Sequence, residues 1–378
     1  MSIDISKIPS PCFVLEEDLL RNNLKLIKSV GEEAGIEIIL AFKGFSMWGA
    51  FPIVREYIHG ATASSLNEAR LCVGEMKTKS HTYCVAIDED EIDELITLSS
   101  HLTFNSLSQF ERFGKKAIDA GVSCGIRVNP QYSEVTTDLY NPCSPNSRLG
   151  VTSEHFGDKL PEGIDGIHFH ALCENDSYTL EKTLAEFEKR FGHLIKQAKW
   201  INMGGGHLMT RKGYDTNHLI NLLREFKKRY NVKVILEPGS AFAWQTGVLV
   251  SKVLDIVEAN GIKTAMLDVS FTAHMPDCLE MPYKPKVTGA NSEPEKGKPT
   301  YRLGGTSCLS GDYMFEYSFE KELLVGDKIV FEDMIHYTMV KTNFFNGVKH
   351  PSIAIWASDN KFKLLREFGY ADYKTRLS

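Results

Sequence analysis

The chain has 378 residues, enough for two domains with cores of their own. With 43% hydrophobic and 24% charged residues and a net charge of −6, it has the composition of a globular protein, speaks against nucleic acid or an anionic membrane surface as partner, and suits a cationic ligand. Eight scattered cysteines with no Cys-x-x-Cys pair, no basic region followed by an apolar run at the N-terminus and no stretch of about 18 apolar residues give an expectation of reduced thiols, no zinc, no signal peptide and no membrane span, hence a cytoplasmic protein.

Pro9 and Pro11 bar a helix from residues 1–15, which read as extended. From 16 to 35, Leu19, Leu20, Leu24, Ile27 and Val30 recur at three- and four-residue spacing and predict a helix ended by Gly31 or Gly35. A strand over 36–42 follows and runs into Lys43-Gly44. The pattern then alternates: helix 52–59, strand 60–64, helix 67–76 led by a capping box at Ser65-Leu66-Asn67-Glu68, strand 82–87, helix 88–99, strand 102–105, helix 107–120 and strand 123–129. A long loop with Pro142, Pro145 and Asn146-Ser147-Arg148-Leu149-Gly150 leads to strand 164–171, helix 178–197, strand 200–203, a triple glycine at 204–206, helix 218–230 and strand 232–237, stopped by Pro238-Gly239. Eight strand–helix units, a loop replacing the last helix, predict an α/β fold with a (β/α)8 TIM-type barrel over 16–240; a doubly wound open sheet is the alternative. Strands at 248–257, 264–269, 301–303, 328–331 and 352–357, with few helical runs, predict a C-terminal β-rich domain over 241–378, joined by the N-terminal segment 1–15.

In a barrel of this kind the chemistry sits at the C-terminal strand ends. There the sequence places Lys43, Ser64, Asp88, Asn105, Arg127, His170, Gly204-Gly205-Gly206 and Glu237. Each has a plain reading: a surface lysine past a strand, a core histidine, a simple glycine turn. Together they are an amine to hold an aldehyde cofactor, a histidine to lie on a flat ring, backbone N–H groups free to approach a phosphate, and a carboxylate to keep a pyridine nitrogen protonated, which is the set pyridoxal phosphate needs. Arg127 ends an apolar strand and needs an acidic partner, for which Glu237 is the natural candidate. His168 and His170 share one strand face, but no third ligand has the spacing for a metal. In the β-rich domain Cys308 lies within a glycine-flanked run of small residues, which favours a loop thiol over a structural one. Tyr337 is either a phenol for a phosphate or a core tyrosine.

These motifs resemble the barrel-plus-β-domain pyridoxal-phosphate decarboxylases of the ornithine/diaminopimelate class, with their alanine racemase-like barrel. The resemblance covers nearly the whole chain: Ala-Phe-Lys-Gly at 41–44, Ala-Ser-Ser-Leu-Asn-Glu at 63–68, Arg-Val-Asn-Pro at 127–130, Gly-Ile-His-Phe-His at 166–170, Met-Gly-Gly-Gly-His at 203–207, Glu-Pro-Gly at 237–239 and Cys-Leu-Ser-Gly-Asp-Tyr at 308–313. Within the class it is most similar to the carboxynorspermidine/carboxyspermidine decarboxylases, in His-Ala-Leu-Cys-Glu-Asn at 170–175 and His-Met-Pro-Asp-Cys-Leu-Glu-Met-Pro-Tyr at 274–283. It implies pyridoxal 5'-phosphate on Lys43, His170 on the ring, Glu237 at the pyridine nitrogen with Arg127 beside it, and Gly205, Gly206, Gly239, Ser240 and Tyr337 around the phosphate. It also implies a head-to-tail homodimer in which Cys308 reaches the partner's site as proton donor, and a polyamine product, norspermidine or spermidine.

Two departures bear on the substrate. The class's acidic residue after the cysteine is Leu309 here, and a buried leucine cannot pair a terminal ammonium. The arginine that often follows Glu-Pro-Gly is Ser240. A longer substrate then needs acids elsewhere: Glu174, Asp277 and Glu280 are the candidates for its amines, and Asp312 completes the expected substrate-binding set. The alternatives are a decarboxylase of diaminopimelate or ornithine, an amino-acid racemase on a similar plan, and a non-catalytic binding protein; the last is hard to reconcile with Lys43, Glu237 and Cys308 all being present.

Overall fold

Short apolar strands, most of them followed by a helix, build a parallel sheet that closes on itself. The computed structural model describes residues 3–378. The chain divides into two units, Asn22–Phe242 and the residues up to Arg21 together with Ala243–Ser378, where the sequence reading divided it at 16 and 240.

In the first unit nine parallel segments run in the order Glu37–Ile38, Lys233–Leu236, Trp200–Asn202, Ile164–His168, Ser123–Arg127, Ser99–Phe104, Ser80–Cys84, Ala61–Ala63 and Leu40–Ala41. The first and last are halves of one strand interrupted at Ile39. Backbone hydrogen bonds continue through the break: Ile39 N–H donates to Leu236 O at 2.9 Å and Leu40 N–H to Gly60 O at 3.0 Å. The ring therefore has eight strands, which excludes the open doubly wound sheet. Helices follow most strands, and their starts are set by side-chain caps worth about 1 kcal/mol each. Ser106 accepts from Gln109 N at 3.1 Å, Asp176 from Thr179 N at 2.9 Å and Asp215 from His218 N at 2.9 Å. At the expected capping box Ser65 accepts from Glu68 N at 3.2 Å, while the Glu68 carboxylate takes the N–H of Ser64, one residue earlier, at 2.6 Å.

Several elements differ from expectation. The helix predicted over 52–59 is only Phe51–Val54. A one-turn helix, Ser240–Ala243, does follow the last strand, and it is the fifth unit that has only a loop with 3-10 turns at Asp138–Tyr140 and Ser153–His155. Strands three and four begin earlier than predicted because their polar first residues are satisfied inside the sheet. The hydroxyls of Ser80, Thr82 and Ser99 form a chain at 2.7 and 2.6 Å, ending on Leu95 O. The barrel floor is filled by Trp200 against Ile39 and Ile235. A Cβ at Gly125 or Gly166 would collide with that indole, so both strands keep glycine there.

The second unit is a mixed sheet organised on one 13-residue strand, Gly247–Ala259. Its first half pairs with Cys12–Glu16 on one side and Lys328–Glu332 on the other; past a register shift at Val253/Asp255 its second half pairs with Ile262–Leu267. Thr300–Gly304 and Tyr313–Phe319 extend the sheet one way, Ser352–Trp356 and Phe362–Arg366 the other. Of these, Tyr313–Phe319 and Phe362–Arg366 went unrecognised, the latter because an exposed edge strand carries no apolar alternation. All eight cysteines are free thiols. Among the described residues no helix is long and apolar enough to cross a membrane.

Candidate active site

Lys43 sits on a turn just past the first barrel strand, closed by Gly44 N–H donating to Ala41 O at 3.0 Å. Ala41 N–H in turn donates to Pro238 O at 3.1 Å, which ties this turn to the end of the eighth strand. Gly44 and Gly239 meet backbone to backbone; a Cβ on Gly44 would lie 2.6 Å from Gly239 Cα. Lys43 Nζ is 3.4 Å from His170 Nε2. His170 Nδ1 accepts the Gly205 N–H at 2.9 Å, so a neutral imidazole carries its proton on Nε2, toward the amine. The Lys43 side chain opens to solvent at the mouth. Burial among protein groups, and then the charge of Arg127, nevertheless push its pKa down against the opposing pull of Glu237. Burial likewise holds His170 well below the ordinary histidine range.

Glu237 is buried, and its carboxyl is pushed upward by burial first. Asn202, at the end of the seventh strand, holds it: Nδ2 donates to Glu237 Oε1 at 2.6 Å while Oδ1 accepts from Gly204 N at 2.9 Å. This amide was not singled out from the sequence. Its signal is a polar residue closing the strand Trp-Ile-Asn directly before Met203 and the glycines. Arg127 is not on Glu237 as expected. Its guanidinium lies over the Tyr83 ring, 4.7 Å from the centroid, and reaches His170 O at 3.4 Å. Tyr83 is fixed by its hydroxyl, which donates to Asn105 Oδ1 at 2.7 Å; Asn105 also receives Gly150 N–H at 2.9 Å. His168 is buried, edge-on to Tyr83 and 3.7 Å from Glu237 Oε2; burial keeps it neutral, so this contact is not an ion pair. Asp88 is exposed and only turns onto Asp90 N. Glu174 has φ 54°, a left-handed backbone that is uncommon for a non-glycine residue, and its carbonyl accepts from Arg211 at 3.0 Å.

The glycine turn meets the demands of an anion. Gly204 and Gly206 have φ of 69° and 86°, and a Cβ on Gly204, Gly205 or Gly206 would run into the backbone oxygens of Phe169, Glu237 or Leu172. Among the described residues no group accepts the N–H of Gly206, Gly239 or Ser240. An amine of lowered basicity, an imidazole face, a buried carboxylate and two turns with unclaimed N–H groups fit pyridoxal phosphate in both its charged and its flat parts.

The remaining expected residues belong to the sheet unit. Cys308 is exposed, and its N–H donates to Asn346 Oδ1 at 2.8 Å. Leu309 is not buried but 48% exposed. Asp312 is not available to a substrate: Oδ1 accepts from Phe271 N at 2.7 Å and Thr272 N at 3.2 Å, and Oδ2 from Ser307 N at 3.0 Å, so it shapes the cysteine loop. Glu280 is paired with Lys341. Tyr337 opens the short helix Tyr337–Val340, half-buried. Asp277 is buried, with Oδ2 accepting from the hydroxyls of Tyr283 at 2.8 Å and Thr338 at 2.7 Å.

A closed barrel whose mouth gathers Lys43, His170, Glu237 and the two glycine turns is the framework of a pyridoxal-phosphate enzyme. The family model described as pyridoxal-dependent decarboxylase, C-terminal sheet domain, matches residues 82–335. A carboxyaminopropylagmatine decarboxylase of Synechocystis is 51% identical over 99% of this chain and 96% of its own. A carboxynorspermidine/carboxyspermidine decarboxylase of Campylobacter jejuni is 46% identical over 98% and 99%. The solved carboxynorspermidine decarboxylase of Campylobacter jejuni, complexed with norspermidine, superposes with a TM-score of 0.91 at 44% identity, covering 98% of this chain and 100% of that one. The chain belongs to the pyridoxal-dependent decarboxylase family, and it is a pyridoxal-phosphate-dependent carboxy-lyase.

Proposed function

We propose that the protein removes the α-carboxylate of carboxynorspermidine or carboxyspermidine, giving norspermidine or spermidine, as a cytoplasmic homodimer. The observation that carries the reading is the mouth itself, with Lys43 Nζ set 3.4 Å from His170 Nε2 and Glu237 held by Asn202, in a chain 46% identical to a decarboxylase named for those two substrates. Bound pyridoxal phosphate supplies the electron sink for the pair left on the α-carbon as carbon dioxide departs. Lys43 holds the cofactor through Nζ, and its lowered pKa keeps a larger neutral fraction of amine available. His170, oriented by the Gly205 N–H, would lie against the cofactor ring. Glu237 would keep a proton at the ring nitrogen; burial raises its basicity, and Asn202 holds its Oε1. Gly206, Gly239 and Ser240 offer N–H groups to the phosphate. Cys308 Sγ delivers the proton to the α-carbon in the partner's site. Glu174 and Asp277 are the acids proposed for the distal amines.

A second reading keeps the chemistry and changes the substrate: the Synechocystis relative is named for carboxyaminopropylagmatine, whose distal end is a guanidine rather than an amine. The test is to incubate holoenzyme with carboxynorspermidine, carboxyspermidine, carboxyaminopropylagmatine, diaminopimelate and ornithine and to measure carbon dioxide and amine product. Turnover confined to diaminopimelate or ornithine sinks both readings.

A further inference from the structure

We infer that Asn105 is a positioning residue of the barrel mouth: through Tyr83 it holds the guanidinium of Arg127 in place, and it fastens the returning end of the long loop after Pro130 to that same arginine. Every residue involved belongs to the barrel unit, and the identity of the substrate does not enter.

Arg127 closes the fifth strand, Ser123–Arg127, and is 4% exposed. A buried guanidinium ordinarily takes a carboxylate. Among the described residues none lies within ion-pair distance of this one, and its Nε meets no acceptor. What holds it is the face of the Tyr83 ring, 4.7 Å away at the centroid, and a long contact to His170 O at 3.4 Å. A ring face sets the plane of a guanidinium only while the ring itself cannot turn. Tyr83 belongs to the third strand, Ser80–Cys84, and its hydroxyl donates to Asn105 Oδ1 at 2.7 Å. Burial pushes the phenol up, so it keeps the proton it donates.

Asn105 stands just past the fourth strand, Ser99–Phe104, and its backbone N–H is anchored on Gln109 Oε1 at 2.8 Å. Its Oδ1 receives the Tyr83 hydroxyl and the Gly150 N–H at 2.9 Å, which fills both lone pairs. Its Nδ2 donates to Arg148 O at 3.0 Å. One amide therefore joins the ends of the third and fourth strands to Arg148-Leu149-Gly150. That segment lies along Arg127. Val151 N–H donates to Arg127 O at 2.9 Å, and a Cβ on Gly150, whose φ is 82°, would come within 2.9 Å of the Val128 carbonyl carbon and 3.1 Å of Arg127 Cγ.

The test uses the full-length chain stripped of cofactor, with acetic anhydride as the probe. Acetylation of Lys43 is followed by peptide mass spectrometry across a pH series, and trypsin cleavage after the exposed Arg148 is timed alongside. Lys43 feels Arg127 as a like charge, while Glu237, Cys173 and Glu68 pull the other way and His170 beside it is held neutral by burial. The variants leave those four groups untouched. In Asn105→Ala the ring is free to turn and the charge of Arg127 spreads toward solvent. The midpoint of Lys43 acetylation should then rise, slowing the reaction about threefold at pH 7, and cleavage after Arg148 should quicken about tenfold. Tyr83→Phe keeps the ring and drops the hydroxyl, so it should slow Lys43 in the same direction. Gly150→Ala should do so as well and also quicken the cleavage. In Tyr83→Phe with Asn105→Ala, Lys43 should respond no more than in Asn105→Ala alone, because both changes break one hydrogen bond. An Asn105 that serves only stability lowers the melting temperature and leaves the Lys43 midpoint where wild type has it. That result overturns the inference, as do additive shifts in the double variant. If Asn105→Ala does not fold, an unmoved Lys43 midpoint in both Tyr83→Phe and Gly150→Ala overturns it.

Discussion

Asn202 is the most informative single position in the barrel, because one amide serves both the carboxylate and the glycine turn. Asn202→Ala removes the donor to Glu237 Oε1 at 2.6 Å and the acceptor of Gly204 N–H at 2.9 Å. A hydrogen bond to a buried charged group is worth roughly 1.5–3 kcal/mol, and an abandoned buried N–H costs roughly 1–3 kcal/mol. The variant should therefore lose about 3–5 kcal/mol, read as a drop of roughly 10 °C in the melting temperature of a unit this size. Asn202→Asp separates the two contacts. It keeps the acceptor for Gly204 N–H and replaces the donor with a second carboxylate facing Glu237, whose pKa should rise further from like-charge repulsion. Activity in Asn202→Asp should fall by about 10- to 100-fold, with a smaller stability loss than in Asn202→Ala. Thermal melts of apo and holo protein and kcat/KM at two pH values make the comparison. If Asn202→Asp retains wild-type activity, the amide is not what orients Glu237, and the reasoning fails.

Other perturbations follow from the same geometry. Gly206→Ala puts a Cβ against Leu172 O on a backbone with φ of 86°, so affinity for pyridoxal phosphate should drop at least about tenfold in a fluorescence titration; unchanged affinity would remove this turn from the phosphate site. His207 is buried, with its pKa pushed down by burial from 6.5 to about 4. In that window the unfolded chain binds the extra proton, so stability is present above the unfolded value and falls as acid is added. The loss is about 3 kcal/mol by the lower end, and denaturant midpoints at pH 7 and pH 5 should show a dependence that shrinks in His207→Gln. Mixing inactive Lys43→Ala with inactive Cys308→Ala chains should restore about a quarter of wild-type activity if each site draws on two subunits by random pairing; no recovery would refute the shared site.

Lys43, His170, Glu237 and the glycine turns are readable from the sequence for one physical reason: each stands where a strand stops, and strand ends are marked by period and by Gly and Pro punctuation. That marking fixes angular order around the barrel but not depth, so it puts Arg127 and Glu237 at the same mouth without saying whether they touch. The side chains decide otherwise. Arg127 reaches back over Tyr83, and Asn202, from the strand next to Glu237, takes the carboxylate first. The same limit governs the acids of the sheet unit. Asp312 lies four residues from Cys308 and looks like a substrate ligand in sequence, yet three backbone N–H groups consume it. Asp277 looks like an ordinary helix-leading acid, and its character comes from Thr338, 61 residues away, and from Tyr283 across a turn. A pattern in a short window records which residue types are available. Which lone pairs remain open depends on partners that only the folded chain brings together, and for Asp277 that remainder is a single oxygen.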